Sequence, residues 1–360
     1  MTTTQHQDND NQAAEAFAER LFETYTHGML ALMIDLAHRT GLLEAAAAGP
    51  GTSEELAERA GLSERYVLEC LGALATGGIV DYDSATGRYT LPPDRAIVLI
   101  GDGSLNLAPI SRLVTVLSKT LDEVASAFRD GGGVPYSRFR PEFTELMDSL
   151  SRGFFDGQLI DGVLPLTGDL PARLTDGVRV ADIGCGSGHS TNLLAKAYPM
   201  SAFVGYDIAD DALDRARTEA TAYGLTNVSF QQLDIAGLPS EPPLDAVFAF
   251  DAVHDQADPA AVLDRVHAAL QPGGIFVMFD TKASSRLENN LANPAATMLY
   301  SISTLHCLTV SLAEGGAGLG AAWGEELATR MLADAGFVDI EVRDVPDDPL
   351  DVVYLARRAS

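Results

Sequence analysis

The chain is short of cysteine, of basic residues and of long apolar runs, and each shortage removes a class of function. Its three cysteines, Cys70, Cys185 and Cys307, lie far apart and form no CxxC pair. That argues against a disulfide framework and a structural zinc site, and it fits a reducing cytoplasm. Lysine and arginine total 24 against 51 aspartates and glutamates, a formal net charge of −27. Such a surface repels phosphate backbones and anionic lipid, so nucleic acid is not an expected partner. The longest weakly apolar stretch, 299–313, contains His306 and is shorter than a bilayer span. The first residues lack a basic patch followed by an apolar run, so no membrane segment is expected.

What is present suits a soluble two-domain protein. At 360 residues the chain is long enough for two cores. A polar start, 1–15, reads as a disordered tail. From Phe17 to Leu42 apolar residues recur at helical spacing. Thr52-Ser-Glu-Glu55 offers a capping box for a short helix, and Ser63 is positioned to cap a second one ending at Gly77-Gly78. Two short runs, 79–82 and 88–91, then flank a turn with Asp83, Ser84 and Gly87, which is a hairpin pattern. Residues 16–100 thus read as a winged helix-turn-helix domain. Its segment 50–92 has seven acidic residues against three arginines, and Arg65 is flanked by Glu64 and Glu69. A helix that reads the major groove needs the opposite balance, so dimerisation or covering of a site is the expected role.

Residues 101–170 are helical pieces broken by Gly131-Gly-Gly133, Pro135 and Pro141, and they read as a connector. From 171 onward the rhythm changes. Short apolar runs at 178–183, 202–206, 228–233, 246–250 and 275–279 alternate with helical patterns, which predicts an α/β domain with a parallel sheet.

The first of those runs leads into Asp182-Ile-Gly-Cys-Gly-Ser-Gly188. Glycines there let backbone approach a ligand at the start of a helix. Read from Gly184, the spacing is G-x-G-x-G and not the dinucleotide G-x-G-x-x-G. Asp207 follows at the end of the second run, where a carboxylate can take ribose hydroxyls. Asp234 ends the third, in reach of an adenine amine, and Asp251 follows Phe250 at the end of the fourth. Four acids at four strand ends suit a cofactor that carries positive charge and no phosphate.

This series, with the Gln271-Pro-Gly-Gly274 turn, resembles the motifs of class I S-adenosylmethionine-dependent methyltransferases. The resemblance covers about 170–360 and implies a Rossmann-like seven-stranded sheet whose last strand is antiparallel, with 337–342 and 351–356 as the final two strands. It implies that the turn (Asp182, Gly184, Cys185, Gly186, Gly188) meets the methionine moiety. Asp207 and Ile208 would take the ribose, Asp234 and Ile235 the adenine, with Phe250 and Asp251 beside them.

For the acceptor, His254 in Phe250-Asp-Ala-Val-His-Asp-Gln-Ala-Asp258 is the candidate general base. The segment is similar to that of small-molecule O-methyltransferases whose N-terminal winged helix is a dimerisation domain, here of an actinobacterial type. That likeness implies that Asp280 orients His254 and that the chain is a homodimer. Gln256 stands where the family has tryptophan, and Asp280 where glutamate is usual. The insertion 281–324 is expected to cover the acceptor, with Tyr300, His306 and Trp323 as substrate-side candidates and five glycines from Gly315 to Gly324. His306 read alone also fits a satisfied core histidine. The expected function is methylation of a small molecule, at a hydroxyl. The alternatives are a winged-helix regulator that senses the cofactor or a metabolite, and an enzyme that keeps the cofactor for another reaction.

Overall fold

The computed structural model describes residues 2–101, 105–346 and 348–360. The chain divides into two compact units, Met1–Thr115 and Val116–Ser360.

The first unit opens on a helix, Thr2–Arg39, which corrects the expected tail at 1–15; Met1 itself lies outside the described residues. No proline or glycine interrupts the chain before Gly28, and Ala, Glu and Gln between 11 and 20 are strong helix formers, so the helix extends back from its apolar part. Phe22, Tyr25 and Met29 on it are exposed. The helices Ser53–Ala60 and Glu64–Thr76 follow, and the Thr52 capping box forms as expected. Ser63 sits at the N-cap of the second helix, but its side chain makes no capping bond. Leu43, Leu56, Leu71 and Leu74 close the core, and β1 (Asp81–Asp83) pairs antiparallel with β2 (Arg88–Thr90) to make the wing. Arg65 is spent on an ion pair with Glu69 one turn along its own helix.

The second unit is built on a seven-stranded sheet. Its strands are β3 (Arg179–Ile183), β4 (Ala202–Asp207), β5 (Val228–Gln232), β6 (Leu244–Phe250), β7 (Leu270–Thr281), β8 (Val338–Asp344) and β9 (Asp351–Arg357), in the order β5-β4-β3-β6-β7-β9-β8. Strands β3 to β7 are mutually parallel and β9 runs antiparallel between β7 and β8. The central strands are buried on both faces, as their unbroken apolar runs require, whereas edge strand β8 is mostly exposed. Order reverses at β3, where β4 lies on one side and β6 on the other. That switch point opens a crevice at the carboxyl ends of the strands, where Asp207, Asp251 and Asp280 lie.

The insertion after β7 is helical: Ala296–Ile302 runs through a widened π turn, Ser303–Cys307, into Leu308–Ala313. The helix begins three residues before the apolar stretch seen in sequence. Ala296–Ala313 is therefore long and apolar enough to cross a membrane by length and composition, which corrects the shorter reading. A third of it is buried within the protein. Ser303, His306 and Cys307 face inward, whereas Tyr300, Ser301 and Thr304 line an open groove of about 610 Å³ on another face.

Candidate active site

On the cofactor side, β3 delivers Asp182 to the interior, where its Oδ2 accepts hydrogen bonds from Ser190 Oγ at 2.8 Å and Thr191 Oγ1 at 2.7 Å. Its Oδ1 is buried without a partner. Burial raises the Asp182 pKa to about 6, with the two hydroxyls opposing the rise. The turn then bends sharply. Gly186 has φ +52° and no atom within 4 Å of the place a Cβ would take, so that face is open to a ligand. Gly188 has φ +68° at the N-cap of helix His189–Ala197, with Phe230 and Ala216 packed where a Cβ would go.

Asp207 ties the second strand to the turn: its Oδ2 accepts from Gly186 N and its Oδ1 from Ala209 N, both at 2.8 Å. Each oxygen keeps a lone pair for a further donor. Burial raises its pKa despite those amides. Asp234 is exposed and caps its own short turn through Ala236 N at 3.0 Å, while Ile235 beside it is buried. Ile208 is half exposed, and Cys185 is half-buried, with desolvation pushing its thiol well above the usual range. Phe250 stacks edge-on against Phe155 at 5.0 Å. Asp251 takes a left-handed φ of +50° and bonds through its amide to Phe279 O at 3.0 Å. An Oδ1 of Asp251 is buried without a partner, and desolvation with the Asp280 charge raises its pKa.

The sequence candidates His254 and Asp280 are brought together. His254 Nδ1 lies 2.9 and 3.0 Å from the two Asp280 oxygens, with both residues buried. The carboxylate fixes the ring and turns Nε2 away from Asp280. Burial alone would lower the His254 pKa, but Asp280 and then Asp255 raise it well above the usual histidine value.

Sequence reasoning missed Asp255, the next residue: its Oδ1 stands 3.4 Å from His254 Nε2 and its Oδ2 3.8 Å from His306 Nδ1. It also missed Tyr136, Phe139 and Phe143, which enclose His306. The His306 ring stacks on Phe143 at 3.7 Å and meets Phe139 edge-on at 4.7 Å. Among the described residues neither His306 nitrogen has a hydrogen-bond partner, unlike a satisfied core histidine, and burial lowers its pKa to about 4. The signal for Asp255 was adjacency to His254; no local pattern marks the three aromatics.

Two other candidates fall elsewhere. Tyr300 accepts a bond from Asn290 at 2.9 Å and lines the open groove. Trp323 is buried in the core with Val253, Met278 and Tyr354. The glycine-rich tail of the insertion is tied down: Gly318 N and Ala321 N donate to Ser311 and Ser303, and Ser311 donates to Gln256 O. Ligand-type atoms of His254, Asp255 and Cys307 lie within 4.8 Å of one another, as do those of Asp251, His254 and Asp280. Both sets share His254, so an ion at either would occupy the histidine.

Residues 174–336 match the family model of a methyltransferase domain, and residues 28–100 that of the Rv2258c-like winged helix-turn-helix domain. The matched range includes the glycine turn, Asp207, Asp234, His254 and Asp280. A methyltransferase domain therefore spans residues 174–336. A trans-aconitate 2-methyltransferase of Methylobacterium nodulans is 36% identical over 137 residues, 38% of this chain and 48% of the relative. An S-adenosyl-L-methionine-dependent Diels-Alderase of Talaromyces variabilis is 29% identical over 190 residues, 51% of this chain and 60% of the relative. The chain thus spans less than two thirds of these curated relatives. The structure of an O-methyltransferase family protein from Burkholderia thailandensis has a TM-score of 0.71 at 16% identity, covering 95% of this chain and 98% of the other. That is a likeness of fold across both units.

The cofactor of such a methyltransferase domain is S-adenosylmethionine, and the residues fit it. The unpartnered Asp182 oxygen, the open face at Gly186 and the acids Asp207 and Asp234 offer carboxylates and backbone amides. That donor set suits an adenosine with a cationic tail.

Proposed function

We propose that the chain is an S-adenosylmethionine-dependent methyltransferase that acts on a hydroxyl of a small molecule, with His254 as general base. The observation that carries this reading is the buried His254–Asp280 pair at the carboxyl ends of β6 and β7, beside the cofactor residues. When bound, the cofactor supplies an electrophilic methyl on a positively charged sulfur. Asp280 holds the imidazole so that Nε2 can accept the acceptor's proton as its oxygen takes the methyl. Burial of His254 and Asp280 keeps out water, which would compete as acceptor. Because the working form is neutral imidazole and its pKa is raised, the base is present above that value and lost as pH falls through it.

The test is incubation with methyl-labelled cofactor and a panel of phenols. A His254→Ala variant that retains full turnover on a hydroxyl would sink the base role. The Diels-Alderase relative supports a second reading, in which the cofactor stays intact while another bond forms; cofactor consumption decides between the two. A DNA-binding regulator is disfavoured by the Arg65–Glu69 pair and the acidic wing, and a low-salt gel shift tests it. We also propose a homodimer through the winged unit, supported by exposed Phe22, Tyr25 and Met29 on its first helix. Sedimentation at varied concentration checks that.

A further inference from the structure

His254 Nε2 does not face an open apolar wall. A hydroxyl that gives its proton to Nε2 must come within about 3 Å of that atom. Asp255 Oδ1 already stands 3.4 Å from it. An acceptor oxygen bound at Nε2 therefore shares that nitrogen's surroundings with a carboxylate.

Beyond Tyr136 the Arg140 guanidinium is paired with Asp211. Among the described residues, the ion pairs of Asp255 and Asp280 are all to histidines 254 and 306. His306 is held neutral in its aromatic enclosure. Behind His254, burial and then the charges of Asp251, Asp348 and Asp280 push the Asp351 carboxyl up to about 10, so Asp351 itself adds no charge there. An arriving acceptor meets the Asp255 carboxylate in surroundings of low dielectric, where like charge is poorly screened.

A second feature points into the same space. Both ring nitrogens of His306 and Asp255 Oδ1 are buried without hydrogen-bond partners, a cost that a ligand group would remove. The walls at this point are the rings of Phe139 and Phe143 with Tyr136 at 6.0 Å from His306. Aromatic faces hold a flat ring or an ammonium group.

We propose that Asp255 is a charge gate at the acceptor site, which admits neutral or ammonium-bearing aromatic hydroxyl compounds and rejects those that carry a carboxylate. The gate rests on the proposed acceptor site beside His254, which brings the acceptor next to Asp255. Asp255 is a specificity residue and takes no proton from the acceptor.

Three phenols of matched shape test it: tyramine, 4-ethylphenol and 3-(4-hydroxyphenyl)propanoate. Binding of each to the full-length protein saturated with S-adenosylhomocysteine is measured by calorimetry, and methylation with labelled cofactor is followed in parallel. The expected result is that tyramine and 4-ethylphenol bind at least about tenfold more tightly than the propanoate. Asp255→Asn should compress that ratio to about threefold or less, and Asp255→Glu should restore it. A propanoate that binds wild type as tightly as 4-ethylphenol overturns the gate without any variant. So does an unchanged ratio in Asp255→Asn with cofactor affinity intact. If the order holds but no probe is methylated, the gate stands and hydroxyl methylation falls. If no probe binds, both fall.

Discussion

The two halves of the crevice are built from different materials. On the proposed cofactor side, the surface is largely backbone: a turn of seven residues whose amides and open glycine face are fixed by φ angles and by Asp207 gripping Gly186 N. On the acceptor side, the surface is side chains from four distant segments, with Phe143, His254, Asp280 and His306 meeting in space. A backbone site tolerates change only in residues that keep its dihedral angles. A side-chain site can be retuned one residue at a time, so chemistry and specificity are expected on that side and affinity for the common cofactor on the other.

The contrast is broken most directly at His254. His254→Gln should lower kcat by about 10²- to 10⁴-fold, the span of general acid–base catalysis, with cofactor affinity unchanged by calorimetry. An equal loss of cofactor binding would mean that the two halves are not separable.

A backbone lesion should do the reverse. Gly188→Val places a branched Cβ at φ +68°, against Phe230 and Ala216. Cofactor affinity should fall by about tenfold or more and Tm should drop, because a strained angle costs about 1–3 kcal/mol. Retained cofactor affinity in a folded variant would show that the turn is less rigid than its geometry implies.

The His254–Asp280 pair can be sharpened by pH. Asp280 is a large cause of the raised His254 pKa. In wild type, log(kcat/KM) should climb with pH above neutrality as imidazolium loses its proton, then level off. Asp280→Asn removes the charge that favours imidazolium, so the inflection should move to lower pH while the plateau falls by about tenfold. An inflection that stays in place would mean that another group titrates in the wild-type profile.

These halves were not equally legible in the sequence. The sheet could be read because buried parallel strands need unbroken apolar runs, and β3 to β7 fall within a few residues of 178–183, 202–206, 228–233, 246–250 and 275–279. The turn could be read because Gly184, Gly186 and Gly188 all have positive φ, a demand that few other residues meet. His254 was found because it lies just past β6 in a segment similar to that of O-methyltransferases, and Asp280, near the end of β7, because that resemblance places an acid there. The enclosure of His306 was not, since Tyr136, Phe139 and Phe143 lie over 160 residues away in sequence and contact depends on how the insertion folds back. Trp323 misled in the other direction: an aromatic beside glycines looks like a pocket wall, but it fills the core under β7. The helix at Thr2–Arg39 was missed because polarity was read as disorder where helix propensity prevailed.

The smallest expected effect lies at the rim of the cofactor half. Asp234 is exposed, and one of its oxygens already caps the turn at Ala236. A hydrogen bond there from an adenine amine competes with water and is worth about 0.5–1.5 kcal/mol. Asp234→Asn, which keeps an oxygen for the cap, should therefore weaken cofactor binding only about two- to tenfold and leave kcat at saturating cofactor as it was. A fall in kcat would tie the rim of one half to the chemistry of the other, and backbone and side-chain sites would then have to be treated as one coupled unit.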